Sequence, residues 1–160
     1  MLFWDASALV KAYSNEDGTS CVLGVFEVLR ERGSLTDYVA LEVYAVLSKH
    51  WRSNRLTKSQ YRSAVAEFAA DYASFYNLEV EASIRRNAFQ LAQNHRAVGL
   101  GALDLLHLAS ALYTRDSRRF EPVVFATSDA ALQTAAAAEG LRTFNPETDP
   151  LSKLLKLLSN

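Results

Sequence analysis

A chain of 160 residues, 49% hydrophobic and 22% charged, has the size and mixture of one globular domain. It has no run of about 20 apolar residues, which excludes a membrane-spanning helix, and its single cysteine, Cys21, excludes an intramolecular disulfide and a thiolate metal cluster. A net charge of -1, from 17 Lys plus Arg against 18 Asp plus Glu, excludes an overtly basic nucleic-acid-binding chain.

Leu2-Phe3-Trp4 is the first strand, and Asp5 closes it. The opening residues lack a basic, long-apolar leader, so a cytoplasmic protein is expected. Cys21 reads as a helix packing residue. Ser34-Leu35-Thr36 is the second strand, leading into a helix placed near Val39 that carries Glu42. Thr57 with Gln60 forms a capping box, and Tyr61, Val65, Phe68, Ala69, Tyr72, Phe75 and Tyr76 follow it with helical spacing. Leu78-Glu79-Val80 is the third strand. After the Gly99-Leu100-Gly101 break, Leu105, Leu108, Ala109 and Leu112 predict a central helix, whose Ala109, Ser110 and Ala111 allow close packing on a sheet. A polar connection, Tyr113 to Pro122, leads to the fourth strand, Val123 to Ala126, and Leu141 to Phe144 is the fifth.

This alternation predicts an α/β fold with a parallel sheet covered on both faces. From Asn145 the composition changes: Pro146 and Pro150 precede Leu151, Leu154, Leu155 and Leu158, a short amphipathic helix. Residues 1–146 therefore read as the domain, and 147–160 as a tail that packs on the same domain or forms an interface.

In such a sheet the functional crevice lies beyond the carboxyl ends of the strands. Asp5 ends the first strand, Asp129 follows the fourth through Thr127-Ser128, Asp104 enters the helix after Gly101, and Glu42 lies early in its own helix. Capping and the helix dipole account for any one of these acids alone. Four on one rim repel one another unless a divalent cation balances them. Neutralising the four would leave 17 cationic side chains against 14 acidic, a mildly basic rim around an acidic hole.

The residues around these acids carry a family resemblance. Trp4-Asp5-Ala6-Ser7-Ala8-Leu9-Val10-Lys11-Ala12-Tyr13 resembles the Asp-x-Ser-Ala-Leu-x-Lys-x-Tyr opening of PIN-domain nucleases, especially VapC-type toxins. Leu41-Glu42-Val43 resembles the family's Glu-Val helix, Leu103 to Ala109 its Asp-x-x-His-Leu-Ala helix, and Thr127-Ser128-Asp129 its Thr-x-Asp turn. The matches fall in order along about the whole chain. The resemblance implies a three-layer α/β/α PIN-like domain around a central, mostly parallel five-stranded sheet, with Asp5, Asp104 and Asp129 binding Mg²⁺ or Mn²⁺ and Glu42 completing the cluster. It further implies a metal-dependent endoribonuclease, the toxin of a toxin-antitoxin pair, with RNA as substrate, a small antitoxin as inhibitor, and a homodimeric assembly. The alternative is a catalytically silent PIN module acting as an RNA- or protein-binding scaffold. A dinucleotide-binding fold and a P-loop are disfavoured because Asp5-Ala6-Ser7 carries no glycine. A haloacid-dehalogenase-type phosphatase would have a second Asp where this chain has Ser7.

Ser7 and Thr127 suit hydroxyls that orient a carboxylate, or simple turn and capping residues. His107 shares a helix face with Asp104, a proton-shuttle position, but packing is the favoured role; His50 and His95 read as surface residues. Lys11, Lys49, Arg52, Arg55, Arg115, Arg118 and Arg119 are candidate phosphate contacts, and Tyr13 and Trp51 candidate stacking residues. Asp5→Asn is expected to spare the fold or to stabilise it by relieving repulsion.

Overall fold

The computed structural model describes residues 1–29 and 33–159. Among these residues five short strands, β1 (Leu2–Trp4), β2 (Ser34–Thr36), β3 (Tyr76–Leu78), β4 (Val124–Ala126) and β5 (Arg142–Phe144), form one sheet in the order β3-β2-β1-β4-β5. Every pairing is parallel. Among the described residues, eight α-helices cover it: α1 (Ala6–Leu9), which runs into a 3-10 turn at Val10–Ala12, α2 (Thr19–Val28), α3 (Asp37–Arg52), α4 (Lys58–Tyr72), α5 (Ala82–Asn94), α6 (Ala102–Asp116), α7 (Ala130–Ala138) and α8 (Leu151–Ser159).

Strand alternation divides the apolar residues between two cores. Phe3 and Phe125 point toward Leu108, Leu112 and Leu132 on α6 and α7, whereas Leu2, Trp4, Val124 and Ala126 join Val22, Val39 and Phe68 on the opposite face. Because both faces are covered, β1 and β4 are apolar throughout, and the hydroxyl residues Ser34 and Thr36 of β2 are buried as well. Burying side chains such as Phe3 and Phe125 completely contributes about 1.5–3 kcal/mol each.

Several boundaries differ from those expected. The helix over Tyr61 stops at Tyr72, because Ser74 turns back to donate from both its backbone and its hydroxyl to the Asp71 carbonyl, at 2.8 and 2.6 Å. Phe75 and Tyr76 therefore leave the helix, and β3 begins at Tyr76, two residues before the expected strand. The helix carrying Glu42 starts at Asp37 rather than near Val39, since Thr36 supplies the cap by accepting the Val39 N–H at 3.4 Å. Finally, α6 extends through much of the expected polar connection, to Asp116. The Thr57–Gln60 capping box forms as expected.

Within the tail, Leu154 is fully buried, with Leu151, Leu157 and Leu158 packed against the same core. Leu155, expected in that stripe, is 41% exposed; Leu157 takes its place on the buried face. No described helix is long and apolar enough to cross a membrane.

Candidate active site

β1 and β4 lie side by side, with Trp4 opposite Ala126 in register. The helices that follow them leave toward opposite cores, α1 toward that of Trp4 and α7 toward that of Phe125. A crevice opens at such a divergence, beyond the carboxyl ends of the strands. Asp5 and Asp129 stand at its two sides, each as the N-cap of the helix that leaves it.

Asp5 is buried, and its carboxylate is engaged on both oxygens. Oδ2 accepts the Ser7 N–H at 3.0 Å, the Ser7 hydroxyl, and the Thr127 hydroxyl at 3.1 Å. Oδ1 meets His107 Nδ1 at 2.9 Å. Burial by itself pushes the Asp5 carboxyl upward, but the hydrogen bond and charge of His107, with the two donations from Ser7, outweigh it and hold the group below its ordinary range. Ser7 also accepts the Ser128 N–H at 2.9 Å, and Thr127 Oγ1 accepts the Asp129 N–H at 3.1 Å. Ser7 and Thr127 thus tie the exits of β1 and β4 together while orienting Asp5.

His107 is completely buried between two carboxylates. Its Nε2 lies 3.2 Å from Glu42 Oε2, close enough for an ion pair but not directed as a hydrogen bond; both atoms are buried without a hydrogen-bond partner. The packing role expected for His107 is therefore too small. Its position three residues after Asp104 on one helix was the available signal, but the contacts to Asp5 and Glu42 are tertiary. Burial raises the Glu42 carboxyl, the charges of Asp5 and Asp104 raise it further, and His107 opposes them.

Asp104 and Asp129 complete the acidic rim. Asp104 Oδ2 accepts the Gly101 N–H at 2.8 Å, and Asp129 Oδ1 accepts the Leu132 N–H at 2.8 Å, so each keeps the capping role available to a lone acid. They are also close enough to act on their neighbours: burial raises the Asp104 carboxyl, the Gly101 hydrogen bond lowers it, and the charges of Asp5 and Asp129 raise it again. The fold therefore brings Asp5, Glu42, Asp104 and Asp129 into one electrostatic neighbourhood.

The cationic candidates separate. Lys11 is 3% exposed, and its ammonium lies 2.5 Å from Glu147 Oε1 and 3.5 Å from Glu16 Oε2, so it is a buried structural charge, not a free phosphate contact. Arg115 sits at the far end of α6, eleven residues or about 16 Å of helix from Asp104. There it donates to the Glu139 carbonyl at 2.7 Å and pairs with Asp116, away from the crevice. Arg52 and Arg55 are exposed, and Arg52 lies about 15 Å of helix beyond Glu42. Tyr13 is buried and donates to Asp71, which removes it as a stacking surface, whereas Trp51 is 43% exposed. His95 is not a free surface residue: its Nε2 lies 2.7 Å from Glu139 Oε1.

Hard carboxylate oxygens suit Mg²⁺ or Mn²⁺. One ligand atom each from Asp5, Glu42 and His107 lies within 4.8 Å of the others. Asp5 Oδ1 keeps a second lone pair beside His107, and the unpartnered Glu42 Oε2 supplies a donor that the protein itself does not satisfy. These residues fit a divalent cation.

Comparison with known proteins agrees with this geometry. Residues 2–138 match the model of the PIN domain. The chain is 31% identical over 151 residues to "Ribonuclease VapC45" of Mycobacterium tuberculosis, covering 94% of this chain and 99% of that protein. In fold it resembles PAE2754 from Pyrobaculum aerophilum, with a TM-score of 0.63 at 20% identity over 99% of this chain and 96% of that one. It also resembles a chain of a toxin-antitoxin complex from Klebsiella pneumoniae, with a TM-score of 0.61 at 14% identity over 91% and 98% of the two chains.

Proposed function

The chain belongs to the PIN-domain family, and from that premise we propose that it is a metal-dependent endoribonuclease, the cytoplasmic toxin of a toxin-antitoxin pair. The single observation that carries the catalytic part is the crowding of ligand atoms at the crevice: one atom each from Asp5, Glu42 and His107 lies within 4.8 Å of the others, and the charges of Asp5 and Asp129 help to raise the Asp104 carboxyl beside them. Such crowding is costly in a structural role and useful in a cation site.

Asp5, Glu42, Asp104 and Asp129 would hold Mg²⁺ or Mn²⁺. When bound, such an ion supplies an acidified water and offsets charge on the phosphate. The chain's own residues fix the geometry: Ser7 and Thr127 lock one oxygen of Asp5, and His107 locks the other. His107 Nδ1 on Asp5 leaves Nε2 as the atom that faces Glu42, so the same ring sets the spacing of the two carboxylates.

An RNA substrate and an antitoxin are supported by the proteins this chain resembles, which include a ribonuclease by name and a chain of a toxin-antitoxin complex. A small antitoxin would cover the acidic crevice, and two copies of the chain would pair. The test is cleavage of cellular RNA by purified protein with Mg²⁺ or Mn²⁺ and with EDTA. Asp5→Asn and Asp104→Asn should abolish cleavage while the circular dichroism spectrum stays native. Wild-type rates in either variant would remove the assigned catalytic role. Absence of cleavage by the unaltered chain, with no divalent-ion binding, would favour a silent scaffold module.

A further inference from the structure

We infer that the tip of the α3–α4 hairpin is an RNA-docking surface separate from the acidic crevice, with Trp51 as a base-stacking platform and Lys49, Arg52, Arg55, Lys58 and Arg62 as backbone contacts. This rests on the ribonuclease reading for the identity of the polyanion. No Asp or Glu occurs between Glu42 and Glu67, so the segment carries five positive charges in a chain of net charge -1. All five side chains are exposed, and among the described residues none is in an ion pair.

Helix stability explains only part of this charge. Lys49 and Arg52 lie in the last turn of α3, where the helix dipole favours cations. Lys58 opens α4 and Arg62 follows one turn later, with no acid in the first turn. Lys58 therefore sits where the dipole opposes it, and the N-terminus of α4 together with all five side chains at the tip attracts an anion.

The tip is also built to hold an aromatic face steady. Trp51 stacks on Tyr61 across the hairpin, with ring centroids 5.2 Å apart and planes 17° from parallel. Below them the turn is closed by donation from Arg55 and Leu56 to the His50 carbonyl, at 2.9 and 3.2 Å, with Asn54 in the left-handed region. A presented indole on a segment that carries five exposed cations suits single-stranded nucleic acid, because bases stack on the ring while phosphates meet the charges. A second copy seated symmetrically on this tip would face five cations with five cations. Trp51 lies about 14 Å of helix beyond Glu42, so one RNA strand can engage both places.

The test uses tryptophan fluorescence of the full chain in EDTA, where oligouridine can bind without being cut. The chain has two tryptophans and Trp4 is fully buried, so quenching by the RNA reports Trp51. Oligouridine should quench the signal, and R52Q/R55Q/K58Q/R62Q should flatten the logarithmic dependence of binding on salt by about 3, the value for four phosphate contacts on a single strand. An unchanged slope, or the absence of quenching by any RNA that the protein cleaves, overturns the inference and leaves the nuclease reading intact. Stronger quenching by polyglutamate than by oligouridine also overturns it, in favour of an acidic protein partner. Quenching with the expected slope change but without cleavage when Mg²⁺ or Mn²⁺ is added supports the docking surface and removes the nuclease reading alone.

Discussion

His107 Nδ1 lies 2.9 Å from Asp5 Oδ1, a contact that joins the middle of α6 to the end of β1 across 102 positions of sequence. On its other side the same ring faces Glu42 on α3. One buried imidazole thus links three elements at the acidic crevice, where it separates carboxylates that otherwise repel. Its removal should be felt in both stability and chemistry.

His107→Ala leaves the Asp5 carboxylate buried without its partner, and breaking a buried pair this way costs about 3–5 kcal/mol. His107→Asn should recover part of that loss, because its amide can donate to Asp5 from near the Nδ1 position, but it is too short to reach Glu42. Urea unfolding of both variants decides this. Equal stability of His107→Ala and the unaltered chain would show that the contact carries no weight.

The acids should respond to pH with opposite signs. Burial and neighbouring charges hold Glu42 and Asp104 above their ordinary 4.5 and 3.8. Their contribution to stability is fully present below the unfolded-state values and is lost as pH rises through the folded ones. Asp5 is held below its ordinary value, so its contribution is present above that value and is lost as pH falls through the folded one. At pH 7 in EDTA, Glu42→Gln and Asp104→Asn should therefore raise Tm and Asp5→Asn should lower it. Sequence alone suggested that Asp5→Asn would be harmless, because repulsion was visible there and the compensation by His107 and Ser7 was not. Thermal melts between pH 4 and 8 read these signs directly.

A divalent cation should reverse the repulsion. At one hundred times its Kd, Mg²⁺ or Mn²⁺ adds about 2.7 kcal/mol to a chain that binds it only when folded. The double variant E42Q/D104N should gain much less. Equal gains in both proteins would place the ion elsewhere.

The parts of the site that were legible in sequence are those fixed by local chemistry. Asp5, Asp104 and Asp129 stand at strand exits and helix entries, where an acid, a turn and an apolar run are neighbours in the chain. Lys11 was misread as a substrate contact because its partner Glu147 lies 136 positions away. β3 was placed late because Phe75 and Tyr76 continue the apolar rhythm of α4, and only the Ser74 turn-back and the pairing of Tyr76 with Ser34 break it. In the tail, a period of three to four residues leaves either Leu155 or Leu157 on the buried face, and packing against the domain selects Leu157.

Lys11 and Glu147 give an asymmetric test. Glu147→Gln weakens the compensation of a buried ammonium, whereas Lys11→Met removes that ammonium and leaves Glu16 and Glu147 able to reach water. Glu147→Gln should be the more destabilising change. Lys11→Met should retain RNA binding, measured by the same tryptophan quenching. Weaker binding in Lys11→Met at unchanged stability would return Lys11 to the substrate contacts.

The tail offers the last test, because its leucines have two distinct environments. Leu154 is fully buried against α2 and the sheet, so Leu154→Ala should cost about 2–5 kcal/mol. Leu155 is 41% exposed, and Leu155→Ala should change monomer stability by no more than about 0.5 kcal/mol. Truncation after Pro146 would confuse these effects, since it also removes Glu147 from Lys11. Leu155→Glu is the cleaner probe of assembly: if the proposed homodimer uses the exposed side of α8, this charge should split it, as light scattering would show. A dimer of unchanged mass would clear α8 from the interface, and a monomeric unaltered chain at high concentration would remove the dimer itself.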